Sequence, residues 1–122
     1  MYSLSDKSLT KMEGVNPALV SVVKRAIELT QVDFMVGEGL RSVEKQRMLV
    51  SSGKSQTMNS KHLTGRAVDL FAMPGGVVSW EWRYYISIAE VMKQAAKELD
   101  VIIEWGGDWK TFKDGVHFQL KG

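Results

Sequence analysis

Apolar positions first fall into a helical rhythm at Leu19, Val22, Val23, Ala26 and Ile27, spaced i, i+3, i+4, i+7 and i+8. A helix is predicted from Pro17 to about Thr30, with Asn16 as its cap and Pro17 in the first turn. "VDFMVGEGL", residues 32–40, has β-branched and aromatic residues before glycines and predicts a short strand. "SVEKQRMLVSSG" predicts a helix capped by Ser42 and stopped at Gly53. "KSQTMNSK", residues 54–61, is polar and reads as a loop. "RAVDLFAM" alternates and then turns apolar, the pattern of a strand largely buried on both faces. "PGG" at 74–76 is a breaker. From Ser79 to about Leu99 runs the longest predicted helix, with Tyr85, Ile88, Val91, Met92, Ala95 and Leu99 on one side. "VIIEWGG", 101–107, is a strand ending in a glycine pair, and "VHFQL", 116–120, is the last strand.

Helices interleaved with about four short strands give an α+β class, a small sheet with helices packed on one side. No repeat, low-complexity segment or linker divides the chain, so one domain is expected over residues 1–122. Hydrophobic residues at 44% and charged residues at 25% are ordinary for a globular domain. The absence of cysteine changes more: it excludes disulfides, cysteine zinc fingers and thiol catalysis, and leaves any metal to histidine and carboxylate.

No apolar run approaches the roughly 20 residues a bilayer needs. "MYSLSDKSLTKMEGVNP" lacks the basic and apolar regions of a secretory signal, so synthesis and retention in the cytoplasm are expected. Sixteen basic against fourteen acidic residues, net +2, reads mainly as solvated surface. With no basic stripe, nucleic-acid binding is not expected.

The chain has two histidines, one in "SKHLTGRAVDL", residues 60–70, and one in "DGVHFQL", residues 114–120. A catalytic zinc site needs three ligands from His, Asp or Glu and one open position. His62, Asp69 and His117 supply three, and no further histidine or cysteine exists to close the site. Seven residues separate His62 from Asp69, an odd offset that would put them on opposite faces of a continuous strand. Gly65 permits the turn that lets them converge. Asp114 is placed as a general base and acid, and Gly115 allows the turn that brings it to the side of His117. A carboxylate within "AVDLF" is costly to bury unless paired or metal-bound. Spacing alone leaves two readings open, a metal site and a set of unconnected polar residues.

"SKHLTGRAVDL" fits the pattern S-x-H-x-x-G-x-A-x-D of the zinc D-alanyl-D-alanine peptidases and their relatives, and "DGVHF" resembles their acidic-x-x-His pair. With "EGLRSVEKQ" and "EWGGDWKTFKDGVHFQL", the chain resembles the L-alanyl-D-glutamate endopeptidases that bacteriophages use as endolysins, from about Leu9 to Leu120. The resemblance implies a Hedgehog/D,D-peptidase fold, with the site on a small antiparallel sheet. It also implies one Zn²⁺ held by His62, Asp69 and His117, with Asp114 as base and acid. Arg41 would help to stabilise the oxyanion, and Ser60 would be a substrate-binding, outer-shell or turn residue.

Trp105 and Trp109 are both candidates for substrate contact, with one of the pair expected in the core. Glu104 competes with Asp114 for the base role; the three-residue offset to His117 favours Asp114. The implied partner is bacterial peptidoglycan, reached from the host cytoplasm after a holin opens the membrane, by a monomer with no separate wall-binding domain. The alternatives are a D,D-carboxypeptidase or dipeptidase of the same group and a non-catalytic zinc module that binds the wall.

Overall fold

The computed structural model describes residues 1–55 and 57–122. Four helices, α1 (Asp6–Lys11), α2 (Pro17–Leu29), α3 (Val43–Ser51) and α4 (Trp82–Glu98), accompany four strands. These are β1 (Phe34–Glu38), β2 (Ala67–Ala72), β3 (Ile103–Trp105) and β4 (His117–Leu120), in one antiparallel sheet of order β1-β2-β4-β3. The α+β class and the small antiparallel sheet are as expected from the sequence.

The α2 stripe does what its spacing implies. Leu19, Val22, Val23, Ala26 and Ile27 are all buried, and Asn16 Oδ1 accepts from the Ala18 N–H at 2.9 Å. Each large apolar side chain so buried contributes about 1.5–3 kcal/mol relative to exposure. Ile88, Met92 and Ala95 of α4 join them under Val68, Leu70 and Phe118 of the sheet. Ser42 caps α3 by accepting from Lys45 N at 3.1 Å. Residues 54, 55 and 57–60 lie outside helix and strand, as predicted for that loop, and Gln56 lies outside the described residues.

Three expectations change. Helix α4 begins at Trp82 rather than Ser79, because Ser79 pairs with Ala72 and its N–H donates to Ala72 O at 2.9 Å. Leu99, placed on the buried side by spacing, is the helix's C-terminal cap and is exposed. Strand β2 is not covered equally on its two faces. Val68, Leu70 and Ala72 lie against the helices, whereas Asp69 and Phe71 on the opposite face are only partly covered. That half-open face carries the site. Helix α1 was not foreseen. It is six residues long, capped by Ser5, and anchored where the buried Ser8 Oγ accepts from the Val36 N–H of edge strand β1 at 3.0 Å.

Gly65 ends a 3₁₀ turn (Lys61–Thr64) in the left-handed region at φ 70°. A Cβ there would also be driven into the Gly14 carbonyl oxygen. Gly65→Ala is therefore expected to cost about 3 kcal/mol, from the unfavourable φ and the backbone clash together. Urea unfolding of the variant beside the wild type measures it.

Candidate metal and catalytic centre

Strand pairing supplies the first convergence. Asp69 of β2 stands directly opposite His117 of β4, so the carboxylate and the imidazole share the half-open face. The 3₁₀ turn then swings His62 back over the same point. His62 Nε2 lies 3.2 Å from Asp69 Oδ1, and His117 Nδ1 lies 3.3 Å from the same oxygen. Both rings are buried.

The outer hydrogen bonds fix what these atoms offer. His62 Nδ1 is 2.8 Å from the Gly39 carbonyl, which only accepts, so Nδ1 carries the proton and Nε2 presents a lone pair. His117 Nε2 is 2.8 Å from Gln119 Oε1. Gln119 is oriented by donating its amide N–H to Glu104 Oε2 at 3.2 Å. His117 Nε2 thus holds its proton and Nδ1 presents a lone pair. Two imidazole lone pairs and a carboxylate oxygen point at one place with no donor between them, an arrangement that calls for a cation. Tetrahedral N and O ligands about 2.0–2.1 Å from an ion sit about 3.3 Å from one another, which matches the separations of Asp69 Oδ1 from the two imidazole nitrogens. The donor set fits a metal, and His62, Asp69 and His117 are the residues that can hold it.

The same contacts set the electrostatics. Burial alone would raise Asp69, yet the His117 and His62 imidazoles, when protonated in an ion's place, hold its carboxyl well below the usual carboxylate range. Burial pulls His117 down, but Asp69 and Gln119 outweigh it and leave it raised, so a proton competes with a metal ion for Nδ1. Asp114 goes the other way from Asp69. Burial and the negative charge of Asp69 push its carboxyl up, a shift in the direction a group that both takes and gives a proton requires.

Asp114 lines the same cavity as the three converging groups, a cleft of about 1070 Å³. Its backbone is held on both sides, with N–H donating to Gly106 O at 3.0 Å and C=O accepting from His117 N at 3.2 Å. Gly115 does permit this turn, but through space rather than a left-handed backbone: a Cβ there would lie 2.8 Å from Trp82 Cζ3. The first glycine of the pair at 106–107 has a packing role of its own. A Cβ on Gly106 would strike the Asp114 carbonyl oxygen, so Gly106 lets the Asp114 segment close in.

The two tryptophans separate. Trp109 lines the cavity with its ring 5.2 Å from that of His117. Trp105, a candidate for substrate contact, is instead core. It is 7% exposed, stacks between Trp82 and Phe118, and donates Nε1–H to Gly115 O at 2.7 Å. Large aromatic area and a satisfied N–H favour that burial. Trp105 therefore secures the turn between Asp114 and His117 from behind. Glu104, the rival base, orients Gln119 and does not line the cavity.

Ser60 Oγ accepts from His62 N at 3.2 Å, so it caps the turn that carries His62, and it also lines the cavity. Arg41 lines it too. Its guanidinium donates through Nε and Nη2 to Glu38 and through Nη1 to Gln46 Oε1 at 2.7 Å, and its backbone N–H donates to His62 O at 2.9 Å. Two guanidinium N–H groups are left over among the described residues. Gln46, fully buried, was not singled out from the sequence; a glutamine on a predicted helix gives no sign of burial until Arg41 is seen beside it.

Burial raises Glu38, but the bonds from Arg41 and Lys45 outweigh it and leave the carboxyl lowered. Because the folded value is the lower one, the stabilisation is complete above the ordinary value of 4.5 and is lost as pH falls through the folded value. Unfolding free energies of wild type and Glu38→Gln are expected to differ at neutral pH and to converge in acid below that range.

The chain is similar to known proteins over nearly its whole length. The solved structure of the Serratia marcescens L-Ala D-Glu endopeptidase ChiX superposes with a TM-score of 0.92 at 54% identity, over 95% of this chain and 87% of that one. The L-alanyl-D-glutamate peptidase of Escherichia phage T5 is 29% identical over 124 residues, 98% of this chain and 90% of that protein. The peptidase of the same name from Listeria phage A118 is 35% identical over 119 residues, and there the chain spans 41% of the longer relative. The family model described as phage L-alanyl-D-glutamate peptidase matches residues 1–119, and the chain belongs to that family.

Proposed function

We propose that the protein is a zinc-dependent endopeptidase that hydrolyses the bond between L-alanine and D-glutamate in peptidoglycan stem peptides, and that it serves as a phage lysis enzyme. The observation that carries this reading is the convergence of His62 Nε2, Asp69 Oδ1 and His117 Nδ1 in a cavity that Asp114 also lines. Names shared by the family and its relatives supply the bond.

His62, Asp69 and His117 would hold Zn²⁺, which when bound would supply Lewis acidity and make a water molecule more acidic. Asp114 takes the proton from the attacking water and returns it to the departing nitrogen. A carboxyl in this position can serve both transfers, since it accepts the proton and then becomes the acid that returns it. Arg41, pinned by Glu38 and Gln46, turns its remaining N–H groups to the oxygen that gains charge. Gln119 and Glu104 keep His117 in its working tautomer. Ser60 holds the His62 turn and offers its hydroxyl proton to the substrate, and Trp109 forms a wall.

In this reading the enzyme acts as a monomer and reaches the wall from the cytoplasm once a holin has opened the membrane. No helix among the described residues is long and apolar enough to cross a membrane itself. Chelation tests the metal. Stripped protein is expected to lose hydrolysis of stem peptides and to regain it with one equivalent of Zn²⁺. Full activity in rigorously metal-free protein would overturn the assignment.

A further inference from the structure

The charge of this chain is unevenly placed. Five of its sixteen basic residues line the cleft, against two of its fourteen acidic ones, Asp69 and Asp114. The small net positive charge is therefore concentrated at the cleft, and the remaining surface is slightly acidic. An electropositive cleft attracts and orients an anionic ligand.

Four of the five cations are lysines, and two of these are already engaged. Lys61 Nζ donates to the carbonyls of Leu120 and Gly122 at 2.9 Å each, and Lys113 Nζ donates to Gly107 O at 3.3 Å. The side-chain amines of Lys54 and Lys110 have no hydrogen-bond or ion-pair partner among the described residues, although both residues line the cavity on different segments. Lys110 sits between Trp109, whose ring lies against His117, and Asp114.

The substrate has a matching asymmetry, given the cleavage proposed above, on which this inference rests. A glutamate residue acylated at nitrogen and amide-linked through one carboxyl retains its other carboxyl as an anion. The L-alanine side of the scissile bond carries no such charge. Asp114 gives its proton to the departing D-glutamate nitrogen, so that residue leaves beside the segment that also bears Lys110. We propose that Lys110, assisted by Lys54, binds the free carboxylate of the D-glutamate residue and so makes the cleft specific for the acid over its carboxamide.

The test uses two synthetic stem peptides, identical except that one carries D-glutamate and the other its carboxamide, D-isoglutamine. Wild-type enzyme is expected to prefer the acid by about five- to tenfold in kcat/KM, the range of a partly exposed charge-assisted hydrogen bond. Lys110→Gln is expected to bring that ratio towards one, Lys54→Gln to lower it in part, and Lys110→Arg to retain it. Added salt is expected to shrink the wild-type preference. The Lys110 side chain makes no hydrogen bond among the described residues, so its replacement is not expected to threaten folding. Both peptides cut between L-alanine and D-glutamate with a ratio that Lys110→Gln leaves unchanged would overturn this proposal alone. Failure of the zinc-loaded wild type to cut either peptide would overturn the proposed activity, and this inference with it.

Discussion

Asp114→Asn is expected to slow peptide hydrolysis by about 10²- to 10⁴-fold while leaving bound metal and fold intact. The amide keeps the shape of the carboxyl and loses only its ability to take and return a proton. The structural work of residue 114 is done by its backbone, through Gly106 O and His117 N–H, so substitution of the side chain leaves the turn in place. Burial and the nearby Asp69 charge both disfavour an ionised carboxyl here. A neutral amide relieves that cost, and the metal-free variant is expected to unfold at the same urea concentration as wild type or a slightly higher one. The decisive comparison is steady-state kinetics beside metal content by atomic spectroscopy. A variant that loses activity and metal together would make Asp114 a support for the site and not its base.

Asp69→Ala is expected to give the opposite pairing, loss of metal first and of hydrolysis with it. Asp69 Oδ1 is the atom both imidazoles approach, and the only anionic donor among the three. Loss of an outer partner of a ligand weakens metal binding roughly 10- to 100-fold; loss of the charged ligand itself is expected to exceed that. Thermal unfolding reads the effect without any substrate. Zn²⁺ at a hundredfold excess over Kd is expected to stabilise the wild type by about 2.7 kcal/mol and to leave Asp69→Ala unmoved. The two substitutions thus separate holding the ion from moving the proton.

Much of this site was legible along the chain because the features that build it are local. The left-handed Gly65 and the His62-to-Asp69 offset lie within eight residues, and the Asp114–Gly115–His117 turn within four. Helix α2 was legible for a similar reason: its stripe, cap and proline act within one element. What stayed hidden depends on pairing between distant segments. Glu104 and Gln119 become a relay only because β3 and β4 pair in that register, and sequence separation gives no hint of register. The start of α4 was misjudged because Ser79 is drawn into a bridge with Ala72, a tertiary contact that overrides local helical preference. Helix α1 owes its anchorage to Ser8 bonding a strand 28 residues away.

Trp105 and Trp109 show the same limit at single-residue scale. Two tryptophans four positions apart carry equal propensity, and only the packing of Trp82 and Phe118 against one of them decides which is core. The electropositive cleft was missed because its lysines come from separate segments, and a count over the whole chain averages them away.

The central claim is that this metal centre cuts stem peptides between L-alanine and D-glutamate. The direct measurement is digestion of purified bacterial peptidoglycan by the zinc-loaded protein, with the new termini identified by mass spectrometry. The account predicts new L-alanine carboxyl ends paired with new D-glutamate amino ends. Release of free D-alanine instead, or an intact wall with zinc bound, would contradict it.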